Sequence, residues 1–414
     1  MKYTIEHDNV FDELVERGYF EQATFEDELR EMLEKEKVKF YIGFDATADS
    51  LTVGHFIQIM VMMRMQTHGH IPVALLGGGT TMIGDPSGRS DMRMVMTKET
   101  IDHNAQKFYE QFQRFLDFSD GKALIENNAD WLLDLNFLDF MREIGVHFSV
   151  NDMLKKDAYK NRLDSGLTFF ELSYMLMQSY DYLELYRRHG VKLQMGGSDQ
   201  WSNILGGYDL VRRLENDKVY AMTFKLLTTA DGEKMGKSQK GAVWLDEDKT
   251  SPYELFQYMR NVDDRDVEKF LLMLTFLPTA KCKELASHKD ERINQAKEVL
   301  AYEVTKIIHG ENAANQALET SRALFQKGAV DENMPSTEMT LADITESPGI
   351  LSILTQLGLT KSNGEARRLV QQGGISLNDE KVTDPTYTIS ETDFVDDAFV
   401  IRKGKKVYHR VIVK

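Results

Sequence analysis

Apolar residues along this chain fall into two patterns, short unbroken runs and helical stripes, and the two alternate through the first half. Residues 8–36 predict two amphipathic helices with a turn near Arg17-Gly18 and acidic outer faces. Lys39 to Phe44 (KFYIGF) predicts the first core strand, a polar turn follows, and Phe56 to Met65 continues with helical character. Ile71 to Leu76 (IPVALL) predicts a second strand that runs into Gly77-Gly78-Gly79-Thr80. The stretch from Thr97 to about Val150 is expected to be mostly helical, with Trp131 to Phe148 rich in apolar residues. Val191 to Met195 predicts another short strand, followed by Gly196-Gly197-Ser198-Asp199-Gln200-Trp201 and a helix. Strands that alternate with helices predict an α/β fold around a Rossmann-like parallel sheet, whose ligands sit at the carboxyl ends of the strands. The glycine-rich turns all follow predicted strands, so they are expected to gather on one rim.

Four segments are expected. Residues 1–247 form the Rossmann-like domain, with a helical insertion at about 120–170. Residues 248–327 are helical, and 328–348, acidic and interrupted by Pro335, read as a linker. Residues 349–414 read as a small α+β domain, with helices over Ile350–Leu357 and Gly364–Gln371 ahead of short strands.

Composition narrows the class. With 414 residues, 42% hydrophobic and 28% charged, the chain has ample length for a large core. No apolar run approaches the roughly 20 residues needed to span a bilayer, and the acidic N-terminal stretch has no apolar segment of a signal peptide, so a cytoplasmic location without membrane attachment is expected. One cysteine, Cys282, excludes an internal disulfide and a cysteine-based zinc cluster. The ten histidines show no metal-ligand spacing. Charge is uneven: residues 349–414 carry ten Lys/Arg against eight Asp/Glu, a net +2, which leaves −18 of the total −16 on residues 1–348. A body this acidic is a poor general nucleic-acid binder, so any RNA must be gripped locally.

Candidate chemistry lies mainly at the predicted rim. Gly54 and His55 would stand at a helix N-terminus, where free N–H groups and the helix dipole favour an anion. Lys234-Met235-Gly236-Lys237-Ser238 offers two lysines on a glycine-hinged loop able to meet phosphate charge. Tyr174, Gln178 and Asp181 share one face of an apolar helix; they read either as an interhelical hydrogen-bond network or as the wall of a pocket for a molecule with an amine and a hydroxyl. Asp85, in Gly84-Asp85-Pro86-Ser87-Gly88, reads as a turn former or a ligand contact. Arg89 and Arg93 are surface charges or phosphate contacts at the same rim. Asp199 stands where an acid can accept from ribose hydroxyls. Arg367 and Arg368 on a helix, and Arg402, Lys403, Lys405, Lys406, Arg410 and Lys414 with no acid among them, suggest a grip on RNA backbone, against the plain reading of a solvated basic end.

In combination these motifs resemble the bacterial tyrosyl-tRNA synthetase family, over essentially the full length. YIGFDATADSLTVGH is similar to the family's first signature block and KMGKS to its second, with MIGDPSGR (82–89) and QMGGSDQW (194–201) as further matching blocks. The resemblance implies that Tyr41 and Asp181 bind the phenolic hydroxyl of L-tyrosine, and that Tyr174, Gln178 and Asp85 hold its ammonium group. It implies that Gly197 and Asp199 contact the ribose, that Gln200 lies by the reacting carboxylate, and that Thr47, Gly54, His55, Lys234, Lys237 and Ser238 surround the ATP phosphates. Arg89 and Arg93 would help hold pyrophosphate. It further implies Mg²⁺ accompanying ATP, tRNA(Tyr) as the second substrate and a homodimer, whose interface is expected at the apolar Trp131–Phe148 region; no zinc is expected. One position departs: Thr52 stands where the family's first block usually begins with histidine, and a weaker phosphate contact is expected there. A tryptophanyl enzyme of the same class, a small-molecule nucleotidyltransferase and a non-catalytic RNA-binding protein remain as alternatives.

Overall fold

The computed structural model describes residues 3, 5–86, 96–160, 163, 166–238, 241–288, 290–327, 335–378, 380–395, 397–404 and 407–414. The chain divides into two compact units. One comprises Met1–Gly236, Val243–Lys249 and Asp263–Ala296; the other comprises Lys237–Ala242, Thr250–Val262 and Lys297–Lys414. The expected contiguous helical block 248–327 is thus divided between them.

The first unit contains α1 (Val10–Glu16), β1 (Phe20–Ala23), α2 (Glu26–Lys35), β2 (Lys39–Phe44), α3 (Val53–Thr67) and β3 (Ile71–Leu76). There follow α4 (Lys98–Phe115), β4 (Leu124–Asn127), the short helices α5 (Ala129–Leu132), α6 (Phe137–Glu143), α7 (Val150–Met153) and α8 (Asp157–Lys160), then α9 (Phe169–His189), β5 (Leu193–Gly197), α10 (Trp201–Glu215) and β6 (Tyr220–Phe224). The six strands form one sheet in the order β1-β6-β5-β2-β3-β4. Five are parallel, and β1 runs antiparallel to β6 along one edge. Strands β3, β5 and β6 are almost wholly buried, which accounts for their mainly apolar composition, with Gln194 and Thr223 as the polar exceptions. The chain leaves β2 toward β3 and β4, then returns to the other side of β2 through β5. That reversal opens a crevice at the carboxyl ends of β2 and β5.

The structure corrects several expectations. Residues 8–36 do not hold two helices alone, since β1 lies between them. The predicted helical stretch 97–150 contains β4. The strand expected at Val191–Met195 lies at Leu193–Gly197, so both glycines complete the strand instead of forming the turn after it.

Two local devices position the site. Helix α9 starts at a capping box, in which Glu171 N–H donates to Thr168 Oγ1 and Thr168 N–H to Glu171, and it stops at Gly190 with φ 67°. Helix α10 packs closely on α9 because Gly206 and Gly207 lack side chains. A Cβ at Gly206 would stand 2.5 Å from Ser179 Oγ, and one at Gly207 would stand 2.9 Å from the Tyr182 Cβ.

A buried ionic cluster ties α1 to α3. Glu13 accepts from Arg17 Nε at 3.0 Å and Arg64 Nη1 at 2.5 Å on one oxygen, and pairs with His68 Nε2 at 2.7 Å on the other. Other guanidinium donors reach the carbonyls of Leu272, in the last turn of α12 (Val267–Leu274), and of Thr275 and Leu277 just after it. Here α11 is Pro252–Arg260, in the second unit. Burial opposes the charge on Glu13, but the His68 hydrogen bond and the Arg64 and Arg17 charges outweigh it and lower its pKa from 4.5 to about 2.

The second unit adds a two-residue pair β7 (Lys237–Ser238) and β8 (Gly241–Ala242), part of α14 (Ile293–His309), which follows α13 (Thr279–Ala286), and α15 (Glu311–Lys327). Its end is a five-stranded sheet of β9 (Ser336–Met339), β10 (Ile375–Leu377), β11 (Glu380–Val382), β12 (Ala398–Lys403) and β13 (Val407–Val413), ordered β11-β10-β12-β13-β9. Helices α16 (Leu341–Glu346), α17 (Ile350–Gln356) and α18 (Asn363–Gln371) complete it around a core of Ile353, Leu354, Val370, Phe399 and Ile401. Strand β9 and α16 fall inside the stretch read as a linker. Its polar sequence STEM serves as an edge strand, with an alternating exposed and half-buried pattern.

Because the Glu13 carboxylate gains charge stabilisation on folding, its contribution is complete above pH 4.5 and is lost as pH falls toward 2. Glu13→Gln is expected to cost about 3–5 kcal/mol at neutral pH, as breaking a buried ion pair does. It should also flatten this acid-side loss, read by denaturant unfolding across pH. Parallel pH curves for the variant and the wild type would contradict the assignment.

Candidate active site

A cavity of about 320 Å³ opens in the crevice between β2 and β5. Tyr41 on β2, Asp181 on α9 and Asn128 in the loop after β4 line it, and Trp131, on the short helix α5 that follows, bonds Asp181 without lining the cavity. Asn128 Nδ2 donates to Asp181 Oδ2 at 2.9 Å and Trp131 Nε1 to Asp181 Oδ1 at 2.8 Å. Burial pushes the Asp181 carboxyl up from 3.8 to about 7, against those two hydrogen bonds, which favour its ionised form. Tyr41 is also fully buried. Desolvation and the nearby Asp181 charge hold its phenol well above its usual pKa, so it stays neutral. Its hydroxyl has no hydrogen-bond partner among the described residues. Gln178 Oε1, in the wall above, is likewise buried without a partner among them. Buried polar atoms left open at a cavity are places where a ligand's own polar groups can bind.

Higher in the wall, Tyr174 donates its hydroxyl to Asp45 Oδ2 at 3.2 Å, and Thr80 Oγ1 donates to Asp45 Oδ1 at 3.0 Å. Asp85 accepts from Gln200 Nε2 at 2.6 Å, and Asn203 Nδ2 reaches Gln200 Oε1 at 3.2 Å. This carboxylate, carboxamide and hydroxyl rim suits an ammonium group.

The mouth differs in character. His55, in the first turn of α3, lies near the rings of Phe44 and Phe108. Burial lowers its pKa to about 4, so it is neutral at pH 7. Its Nδ1 accepts the Thr52 N–H at 3.1 Å, with Thr52 Oγ1 also 3.1 Å away, which puts the ring proton on Nε2. Thr52 therefore works at the helix N-cap, orienting His55. Gly54 does not leave open space: a Cβ there would stand 3.3 Å from the Met235 carbonyl oxygen. Gly236, at φ 104°, is as confined, since its Cβ would meet the Gly54 nitrogen at 2.8 Å. The two signature segments thus pack backbone to backbone, which accounts for glycine at position 236. Lys234 Nζ lies 3.2 Å from Asp199 Oδ2 and carries a cation to the same mouth.

Twelve of the expected residues line this one cavity: Tyr41, Thr47, Gly54, His55, Asp85, Tyr174, Gln178, Asp181, Gly197, Asp199, Gln200 and Lys234. Arg89, Arg93, Lys405 and Lys406 lie outside the described residues, as do the side chains of Lys237 and Ser238. In the second unit, Arg367 and Arg368 are exposed on α18. Arg402 donates to Ser376 Oγ at 3.2 Å, and Lys403 donates to the Leu359 carbonyl at 2.6 Å. Arg410, on β13, is half-buried. Asp45, Thr80, Asn128, Trp131 and Asn203 were not foreseen. Trp131, at the start of the Trp131–Phe148 region where a subunit interface is expected, is 4% exposed and bonds Asp181.

A parallel sheet with a glycine-rimmed cleft at its strand reversal, a helix N-terminus and a lysine hairpin define a nucleotide-using α/β enzyme. Residues 33–326 match the class I tRNA synthetases (W and Y), and residues 325–411 match the tyrosine--tRNA ligase SYY-like C-terminal domain. The chain is 58% identical to a tyrosine--tRNA ligase of Lachnoclostridium phytofermentans over 403 residues, covering 97% of this chain and 98% of that one. It is 56% identical to another from Acetivibrio thermocellus over 403 residues, covering 97% and 99%. Among solved structures it resembles a C-terminally truncated Coccidioides posadasii mitochondrial tyrosyl-tRNA synthetase, with TM-score 0.66, 33% identity and coverage of 76% and 92%. A corresponding Aspergillus nidulans structure gives TM-score 0.70, 29% identity and coverage of 77% and 95%. The chain belongs to the tyrosine--tRNA ligase family of class I aminoacyl-tRNA synthetases, enzymes that use ATP as a substrate. No helix among the described residues is long and apolar enough to cross a membrane.

Asn128→Ala removes one of the two donors that favour ionised Asp181. Its pKa is then expected to rise above about 7, as followed by ¹³C NMR titration of the carboxyl carbon. A value unchanged or lowered would show that Asn128 does not govern this charge.

Proposed function

We propose that the chain activates L-tyrosine with ATP and transfers it to tRNA(Tyr). The observation that carries this is the buried Tyr41 hydroxyl, without a partner among the described residues, beside the hydrogen-bonded Asp181. A phenol entering the cavity donates to the Asp181 carboxylate and accepts from Tyr41. Phenylalanine would leave both groups desolvated and unmatched, tyrosine against phenylalanine being the standard illustration of this rule. Tyrosine's ammonium group lies against Asp85, Tyr174 and Gln178, and its carboxylate near Gln200.

The carboxylate oxygen attacks the α-phosphorus of ATP, and the bond to the bridging β-phosphate oxygen breaks, giving tyrosyl-adenylate and pyrophosphate. Mg²⁺ enters with ATP as part of that substrate. To the phosphates this reading assigns the Nε2–H of His55, the Thr47 hydroxyl, the α3 N-terminus at Gly54, Lys234, Lys237 and Ser238, and to pyrophosphate Arg89 and Arg93. Catalysis comes from positioning and charge stabilisation. Gly197 and Asp199 receive the ribose, so Asp199 must release Lys234 to the phosphates. A terminal ribose hydroxyl of tRNA then attacks the activated carbonyl and AMP leaves.

Arg367, Arg368, Arg402, Lys403, Lys405, Lys406 and Arg410 supply the grip on RNA in a chain of net charge −16. Of these, Arg367 and Arg368 have their side chains exposed, while Lys403 and Arg402 also brace the small domain. A homodimer in the cytoplasm is the working form; exposure of Phe137 (65%), Leu138 (68%) and Val146 (69%) supports an apolar contact surface.

The test is amino-acid-dependent ATP–pyrophosphate exchange with tyrosine, phenylalanine and tryptophan side by side, followed by charging of tRNA(Tyr). Exchange is expected with tyrosine alone, slowed about a hundredfold by Lys234→Ala, as loss of one transition-state charge contact does. Exchange with tryptophan would favour the sister specificity. No exchange with any of the three would overturn the reading.

A further inference from the structure

Lys234 sits on a hairpin whose rungs run from Met235 N–H to the Leu227 carbonyl at 2.8 Å and from Thr229 N–H to the Glu233 carbonyl at 2.8 Å, turning at Asp231-Gly232. What holds the base of this hairpin lies elsewhere in the chain, at the start of α12. Asp266 occupies the N-cap position of that helix, yet its side chain makes no capping bond. Its Oδ2 instead accepts the Ala230 N–H at 2.8 Å, and its Oδ1 pairs with Lys269 Nζ at 2.8 Å. Lys269 Nζ in turn donates to the Thr228 carbonyl at 2.6 Å. Asp266 is only 2% exposed. A buried carboxylate that gives up its own helix for a neighbouring loop sets that loop's position more firmly than an exposed pair can. The nearby Arg265–Asp231 pair is such an exposed contact, with more than half of each side chain in solvent, and contributes little.

We propose that Asp266, together with Lys269, is a positioning residue that fixes the base of the 227–235 hairpin and thereby sets where Lys234 meets the phosphates of ATP. This rests on the role proposed above for Lys234. Neither Asp266 nor Lys269 lines the cavity, and the contacts through which they can act on it are those with Ala230 and Thr228 in the hairpin. In Asp266→Asn the carboxamide can keep the Ala230 bond only by losing the charge that holds Lys269. Lys269→Met removes the Thr228 contact and leaves the carboxylate without its cation.

The experiment compares wild type, Asp266→Asn, Asp266→Glu, Lys269→Met, Lys234→Ala and the Asp266→Asn/Lys234→Ala double variant. For each, tyrosine-dependent ATP–pyrophosphate exchange is measured alongside the equilibrium dissociation constant for tyrosine alone. Displacement of a catalytic group by about an ångström costs on the order of ten- to a hundredfold. Asp266→Asn and Lys269→Met are therefore expected to slow exchange by about tenfold or more with tyrosine binding unchanged, and Asp266→Glu to recover part of the rate. In the Lys234→Ala background, Asp266→Asn should add less than about a twofold loss, because the two residues act on one contact. Undiminished exchange in Asp266→Asn and Lys269→Met, or losses that multiply in the double variant, would overturn the inference. If Lys234→Ala itself leaves exchange unchanged, the role of Lys234 is wrong, and that outcome is separate from a failure of Asp266 alone.

Discussion

A carboxyl group buried beneath a parallel sheet's cleft is the constraint around which the first unit is arranged. Taking Asp181 out of water is costly, and Asn128 and Trp131 offset only part of that cost, since its pKa still stands near 7. The donors that make the burial tolerable come from segments far apart in sequence. Asn128 must also serve the triple-glycine turn, accepting from Gly79 N–H at 2.7 Å and donating to Thr80 Oγ1 at 3.0 Å. Thr80 passes the connection to Asp45, and Asp45 accepts from Tyr174, about two turns before Asp181 on the same face of α9. The network closes on the helix where it began. Such a ring is well satisfied in itself, so the groups it leaves open, Tyr41 and Gln178, are the ones a ligand meets.

The mouth of the cavity follows a different rule. Among the described residues, His55 is neutral there and Lys234 is already paired with Asp199 before a nucleotide arrives. Phosphate binding then exchanges one partner of Lys234 for another instead of creating a new buried charge. The close backbone contact of Gly54 with Met235 and Gly236 joins the helix N-terminus and the lysine hairpin into one surface. Thr52 fits this arrangement as the cap that orients His55, so the usual histidine's absence at that position need not be read as a lost phosphate ligand.

Much of this was legible in the residue pattern, for identifiable reasons. Strands β2 and β3 are largely apolar runs followed by polar or glycine-rich turns, and their ends match the predicted ones. Tyr174, Gln178 and Asp181 stood out because polar residues spaced four and three apart on an apolar helix must share a face. Strand β1 was missed because its four residues, FEQA, are a polar edge with no buried position. Strand β4 was missed because LIEN sits half-buried at the opposite edge, inside a helix-rich stretch. Asn128 and Trp131 carried no local signal. Their importance comes from long-range pairing with Asp181, across about fifty positions of sequence. Asp266 is similar, looking like a helix cap until its carboxylate is seen to bond another loop.

The central claim is that the cavity floor is built for a phenol. It is tested most directly by the dissociation constants of L-tyrosine and L-phenylalanine, without ATP, for wild type and Tyr41→Phe by calorimetry. The account predicts much tighter binding of tyrosine to the wild type and a clearly smaller gap in the variant. Equal affinities in the wild type, or a gap untouched by the substitution, would contradict it.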